Sequence, residues 1–390
     1  MSGVVAQRVE MPTTVSQLQK IMKKASREKL SVLPLGRGIS LGAAFFREKV
    51  DIALYMTGLS DIISFDRKNL YMTVKAGMTV DSINRYLEDE AEGFFMPLDP
   101  PMSHRATIGG IYASNITGPS RLLYGTLRDQ VLGGNAVDAG GCAFKFGGVT
   151  VKNVAGYDLT KFFIGSAGTL CILTDISFRI HPLPEVSSIC EVDIEHEKEV
   201  QGLLSDLLAS VLIPTGIVVT TPETSDTCFR FFVAFEGHAG AVERQNRDFM
   251  KLAQDYGGQG ESRIGRESVI DSFRAVMNYD DSNIDCMLLK ISVPIVHGIP
   301  TYSAICQLSK EYSLKIKISL LAGNGILYFY VLGCKDETLL LIVDEIKGIV
   351  RQLDGYVLPI KASRRILSKW GPRVVDTKLI SHILKPIKHK

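Results

Sequence analysis

The stretch Thr150 to Glu185, TVKNVAGYDLTKFFIGSAGTLCILTDISFRIHPLPE, narrows the folds open to this chain more than any other segment. It begins as a strand-to-turn passage rich in Gly and Asn. A short apolar helix follows from Leu159 to Ile164 and pauses at Gly165. A tight turn through Ser166, Ala167 and Gly168 then leads into an apolar, β-branched strand from Leu170 to Ile180. Small residues placed between a helix and a strand let the backbone come close to something flat or anionic.

At 390 residues the chain is long for a single core, so two or three domains are expected. Acids and bases are interspersed and the net charge is only +2, which argues against a nucleic-acid surface. The basic tail, Lys385 to Lys390, reads as a solvated chain end. No apolar run reaches the length of a membrane span, and MSGVVAQRVE lacks a charged-then-apolar signal pattern. A cytoplasmic protein is expected, touching a membrane only peripherally, at its inner face and through partners. The 7 cysteines are odd in number and form no CxxC pair, so neither a disulfide framework nor an iron–sulfur or zinc cradle is legible. Reduced, buried thiols such as Cys171 and Cys286 fit that compartment.

The N-terminal third reads as mixed helix and strand. Val15 to Glu28 has apolar residues at helical spacing, and the strand LSVLPL runs into PLGRGISLG, Pro34 to Gly42. Glycines at 36, 38 and 42 let successive backbone N–H groups line a concave anion nest. TVKAGMTVDSINRYLEDE reads as strand, turn and helix, with Thr79 as the cap. Met96 to Arg121 is loop-like, and a loop of that length inside a compact domain usually binds something. In YGTLRDQVLGG, Arg128 and Asp129 read as a structural ion pair at a strand start.

Taken together and in this order, these segments resemble the PCMH-type FAD-binding domain of vanillyl-alcohol-oxidase-type flavoproteins. Within that group the chain is most similar to the FAD-binding subunits of glycolate oxidase and 2-hydroxyacid dehydrogenase complexes, of the E-subunit type. The resemblance covers Ser31 to Glu185. It implies that the loop Gly36, Arg37, Gly38, Ile39 and Ser40 holds the pyrophosphate. It also implies that Pro97, Asp99, Pro100, Thr107, Ile108, Gly109, Gly110, Gly118, Gly168 and Ile172 wrap the rest of the cofactor. Some relatives carry in the first loop a histidine that bonds covalently to the flavin. Ile39 stands at that point here, so a non-covalent FAD is implied.

After Pro184 the pattern changes. Two successive rounds of strand, helix, strand, strand, helix occupy 185–355, separated by what reads as a linker, Gly257 to Ser268. That order suits two ferredoxin-like halves sharing an antiparallel sheet with helices on one face. The expected fold is therefore α+β: an FAD-binding domain over 1–184, a cap domain over 185–355, and a segment 356–390 returning toward the first domain.

The cap bears on function. Catalytic 2-hydroxyacid dehydrogenases of this kind carry a segment resembling H-A-G-D-G-N-L-H, whose histidines serve a metal or the substrate carboxylate. Here it reads Leu321-Ala322-Gly323-Asn324-Gly325-Ile326-Leu327-Tyr328, with Leu321 and Tyr328 in the histidine positions. Leucine cannot bind a metal and a neutral phenol does so poorly. The other histidines show no i,i+4 or HxH spacing, so no metal site is expected. The relatives' G-S-E-G-T-L-G is Gly165 to Cys171 here, with Ala167 in place of the acid. The family's closing D-P-x-x-x-L-N-P-G segment is not matched, and Trp370 reads as a core indole or a partner anchor. The resemblance thus implies an FAD-carrying, electron-relay or structural subunit beside a hydroxyacid-oxidising flavoprotein and an iron–sulfur subunit. The alternative is a self-contained FAD-dependent 2-hydroxyacid oxidoreductase. Catalytic residues of this chain's own are not identified by the sequence.

Overall fold

The computed structural model describes residues 5–40, 49–149, 158–221, 229–279 and 286–370. Gly42, the passage Thr150 to Gly156, Cys228 and everything after Trp370, including the basic tail, lie outside the described residues. The chain starts with β1 (Val5–Glu10), α1 (Val15–Glu28), β2 (Val32–Leu35) and β3 (Lys49–Tyr55), the strands pairing in parallel in the order β1-β3-β2. α1 forms where its spacing places it. Thr14 caps it by accepting from Gln17 N, and Leu18, Met22 and Ala25 fall on one buried face. Lys29, in the left-handed region, ends it.

Next come β4 (Ile62–Asp66), β5 (Tyr71–Lys75), α2 (Val80–Asp89), β6 (Phe94–Phe95), α3 (Ile108–Ser114), α4 (Arg121–Tyr124) and α5 (Leu127–Gln130). They are followed by β7 (Val131–Val137), β8 (Ala143–Gly147), α6 (Leu159–Phe162), β9 (Ile172–Arg179) and β10 (His181–Pro182). An antiparallel sheet runs β4-β5-β9-β7-β8, and β9, the apolar strand of the opening segment, is its middle. Thr79 caps α2 by accepting from Ser82 N.

Two expectations for this region change. Met96 to Arg121 is not loop throughout, because Thr107 caps α3 by accepting from Gly110 N. Asp129 does not pair with Arg128. Its carboxylate accepts from Thr126 N and Oγ1 and closes a capping box on α5.

The cap is built from β11 (Val186–Ile194), α7 (Glu197–Ala209), β12 (Gly216–Thr220), β13 (Phe229–Gly237), α8 (Ala239–Asp255) and β14 (Gln259–Ile264). α9 (Arg266–Met277) leads to β15 (Cys286–Ser292), α10 (Gly298–Glu311), β16 (Lys315–Leu321), β17 (Ile326–Leu332), α11 (Asp336–Gln352), β18 (Tyr356–Lys361) and α12 (Arg364–Trp370). The sheet order is β14-β11-β13-β12-β16-β17-β15-β18, every pair antiparallel. Read outward from the β12–β16 seam, the two halves repeat one another, each a β-α-β-β-α-β unit.

The fourth strand of each unit corrects the boundaries. The supposed linker Gly257 to Ser268 contains β14, whose polar, exposed side chains disguise an edge strand. The start of 356–390 does not leave the cap either, since β18 pairs with β15 along the opposite edge.

Strand alternation divides the cap's apolar residues between two faces. Met287, Leu289 and Ile291 pack with Phe329, Phe235 and the buried sides of α7, α8, α10 and α11. Leu288, Leu321, Tyr328 and Tyr330 turn the other way, into a cluster with α9 and with Met102 and Ile116 of the N-terminal region. Helices therefore cover one face as expected, while α9 and the N-terminal region cover the other. Trp370 packs against the first cluster, with the Lys347 ammonium 3.8 Å above its ring.

Candidate functional site

The loop after β2 and the cap of α3 meet. An ideal Cβ on Gly36 would stand 2.2 Å from Thr107 Oγ1, so only a bare backbone passes there. Gly109 is tight against the Ala76 carbonyl oxygen, which an added Cβ would approach to 2.8 Å. Gly168 comes from the α6–β9 turn, and its Cβ would reach 2.7 Å from Pro34. Gly38 and Gly168 hold φ of 76° and 73°, a region that L side chains avoid. In the same turn Ala167 is held at φ 53° with its N–H donating to the Ala113 carbonyl.

These contacts border two adjoining, partly open cavities of about 90 and 70 Å³ that share Pro34, Leu35, Gly36, Thr107, Gly110, Ala113 and Ala167. Arg37, Gly38, Ile39, Ser40 and Pro100 line the first, while Gly109, Gly168 and Ile172 line the second. Segments from 34–40, 100–114 and 166–173 are thus brought to one place. Ile108 points away, fully buried in the core of this region.

Pro97 and Asp99 are placed elsewhere. With Pro100 they line a separate polar cleft of about 500 Å³ between α2 and α9. The Asp99 carboxylate accepts from Ser120 N at 2.9 Å and Ser120 Oγ at 2.7 Å, and Gly118 packs on the Asp99 backbone. Burial pushes the Asp99 carboxyl up to about 6, against the pull of its Ser120 bonds. Asp99, Gly118 and Ser120 therefore fasten the two ends of the long passage to each other. The far wall of this cleft carries Arg266, which pairs with Glu88 at 3.0 Å and lies 4.5 Å above the Phe95 ring.

Where relatives of the type described above carry histidines, the cap presents closed packing. Leu321 is buried among Val218 and Tyr330. Tyr328 reaches out of the cap, donating from its phenol to the Thr117 carbonyl at 2.6 Å and accepting from Thr117 N at 3.3 Å. Burial holds that phenol well above its ordinary pKa, so it stays a donor. Cys171, beside the second cavity, is pushed up to about 12 by burial and stays a thiol. Among the described residues no group of three or more His, Cys, Asp or Glu could hold a metal ion. No helix among them is long and apolar enough to cross a membrane.

Sequence reasoning missed Ala113, Ser114 and Ile116, which line the cavities with no motif to mark them. It also missed Lys290, whose signal was visible: a single lysine inside the apolar strand CMLLKIS.

Residues 6–147 match the family model described as FAD binding domain. The chain is 33% identical over 207 residues to glycolate oxidase subunit GlcD of Bacillus subtilis, covering 53% of this chain and 43% of that protein. It is 33% identical over 186 residues to glycolate oxidase subunit GlcE of Escherichia coli, covering 47% and 49%. D-lactate dehydrogenase [cytochrome] of Arabidopsis thaliana mitochondria is 29% identical over 218 residues, covering 56% and 37%. The chain spans less than half the length of each of these relatives. Among solved structures, p-cresol methylhydroxylase with substrate bound superposes with a TM-score of 0.75 at 16% identity, over 99% of this chain and 87% of that one. Alkyldihydroxyacetonephosphate synthase does so at 0.70 and 16%, over 89% and 72%. Both likenesses speak to fold. The N-terminal region thus resembles an FAD-binding domain, and bare backbone at Gly36, Gly109 and Gly168 borders its cavities.

Proposed function

We propose that this chain is an FAD-dependent oxidoreductase subunit of a multi-subunit glycolate or D-lactate (2-hydroxyacid) dehydrogenase, with a relay or structural role. FAD bound there would supply reversible two-electron chemistry. Its pyrophosphate would rest on the backbone of Gly36 to Ser40 beside Thr107 to Gly110, with Ile39 leaving no group for a covalent bond. In this reading 1–184 is the cofactor domain and the strands from 185 onward form its cap. The partners are a hydroxyacid-oxidising flavoprotein and an iron–sulfur subunit, in the cytoplasm or at the inner membrane face through that complex.

One observation carries the subunit reading. Tyr328 spends both its donor and its acceptor capacity on the Thr117 backbone, and Leu321 beside it is apolar and buried. Polarising a substrate hydroxyl and fixing its carboxylate needs a cation or metal at that face; these two side chains offer neither, and the ammonium of Lys290 across from Tyr328 donates to the Asn115 carbonyl. The second reading, a self-contained 2-hydroxyacid oxidoreductase, is favoured by the similarity to D-lactate dehydrogenases over a larger share of this chain than to GlcE.

The deciding experiment mixes purified, flavin-replete chain with glycolate or D-lactate and a redox dye, alone and with the chains that co-purify from the native source. Dye reduction only in the mixture supports the subunit. Steady turnover by the chain alone, insensitive to chelators, supports the self-contained enzyme.

A further inference from the structure

Lys290 is 4% exposed on the cap face that looks at the N-terminal region. It sits directly across from Tyr328 in the β15–β17 register. Its ammonium donates to the Asn115 carbonyl at 3.0 Å, while Tyr328 donates to the Thr117 carbonyl and accepts from Thr117 N. Two neighbouring cap side chains therefore grip the backbone on either side of one residue, Ile116. Ile116 lines the larger cavity and packs in the interdomain cluster.

The local backbone gives this grip a purpose. Asn115 ends α3 in the left-handed region at φ 54°, so its carbonyl lies past the last helical turn and needs a donor from outside. A cation suits that end of a helix. Asn115 also packs close to the α6–β9 turn, where a Cβ on Gly165 would stand 3.7 Å from the Asn115 Cβ. One short helix thus runs from the Thr107 cap beside the Gly36 loop to a terminus held by the cap.

We infer that Lys290 and Tyr328 are positioning residues for the cofactor, fixing Asn115–Thr117 so that Ile116 and the α3 terminus keep the shape of the cavity wall. The inference rests on the reading that FAD occupies this cavity. In that light the position that relatives fill with a histidine serves here as a strut between cap and cofactor domain. Neither side chain need touch the cofactor, and each acts through backbone it holds.

The test uses the full chain reconstituted with FAD, comparing the parent with Tyr328→Phe, Lys290→Met and Lys290→Arg. The readouts are FAD Kd, the vibrational structure of the bound flavin's visible absorption, and Tm. Losing one hydrogen bond to a cavity-shaping backbone should raise Kd about 3- to 10-fold in Tyr328→Phe and Lys290→Met. The flavin absorption should lose fine structure, and Lys290→Arg should recover most of both. Variants that melt lower yet keep parental Kd and spectrum would make the pair ordinary interface packing and overturn the inference. A parent that takes up no FAD overturns the cofactor reading itself, an outcome distinct from variant-specific loss.

Discussion

The two cavities beside Gly36 and the cap face opposite them are built on contrary principles. Around the cavities the chain removes matter: Gly36, Gly109 and Gly168 abut neighbours so closely that a methyl group would collide. On the cap face it adds matter, with Leu321, Tyr328 and Tyr330 packed into a closed cluster and Tyr328 hydrogen-bonded across the interface. On the proposed reading, space for a cofactor and space for a substrate are separate properties of this architecture. One persists in the backbone, the other is occupied by side chains. A side chain added at those glycines would strike protein neighbours, whereas the cap face is closed by side chains that single substitutions can change.

The sharpest way to break this contrast is Gly38→Val. A β-branched side chain at φ 76° strains the loop and intrudes where bare backbone would meet phosphate, so flavin occupancy should fall to near zero. Full occupancy, measured by the flavin-to-protein absorbance ratio, would detach this loop from the pyrophosphate. Next, acid precipitation of the holoprotein should leave a yellow supernatant containing FAD. Flavin retained in the pellet, or FMN in the supernatant, would contradict non-covalent FAD.

Gly118→Ala probes the passage that joins the two regions. Its Cβ would stand 1.9 Å from the Asp99 carbonyl oxygen, so overpacking should cost about 1–3 kcal/mol in denaturant unfolding with flavin content near parental. An unchanged midpoint would show that the Asp99–Ser120 fastening yields easily.

A pH series refines the same point. The Asp99 carboxyl is raised to about 6 in the fold, so between the unfolded value and about 6 the native state holds the extra proton. Its ionisation therefore costs stability as pH rises through that window. Measured against Asp99→Asn, the parent should gain about 1–2 kcal/mol on going from about pH 7 to about pH 5. A gap independent of pH would place the titration elsewhere.

The smallest effect belongs to Arg266→Ala. Its half-exposed pair with Glu88 and its contact with Phe95 should contribute about 0.5–1 kcal/mol to unfolding, without altering flavin binding.

Much of this was legible along the chain. The helix Val15 to Glu28, the Thr79 cap and the strand entering from Leu170 all follow from periodicity and capping within one element. The glycines that wall the cavities were legible as well. β14 was not, because edge strands carry polar side chains and read like linkers. Nor was α3, since Gly109 and Gly110 in its first turn suggest a loop until the Thr107 cap is seen. Asp99 looked like a cofactor ligand by its motif, and only its Ser120 partner shows where its bonding capacity goes.

By itself the sequence determined the local elements, the positions where backbone must stay bare, and the absence of imidazole at 321 and 328. These are properties of single residues and short spacings. The tertiary structure decided which loops meet, that Pro97 and Asp99 line a different cleft from Gly36, and that Lys290 and Tyr328 grip the same turn from strands 38 residues apart in sequence (328 − 290). Such pairings depend on the register of an eight-stranded sheet, and register is a long-range outcome of which faces can be buried together.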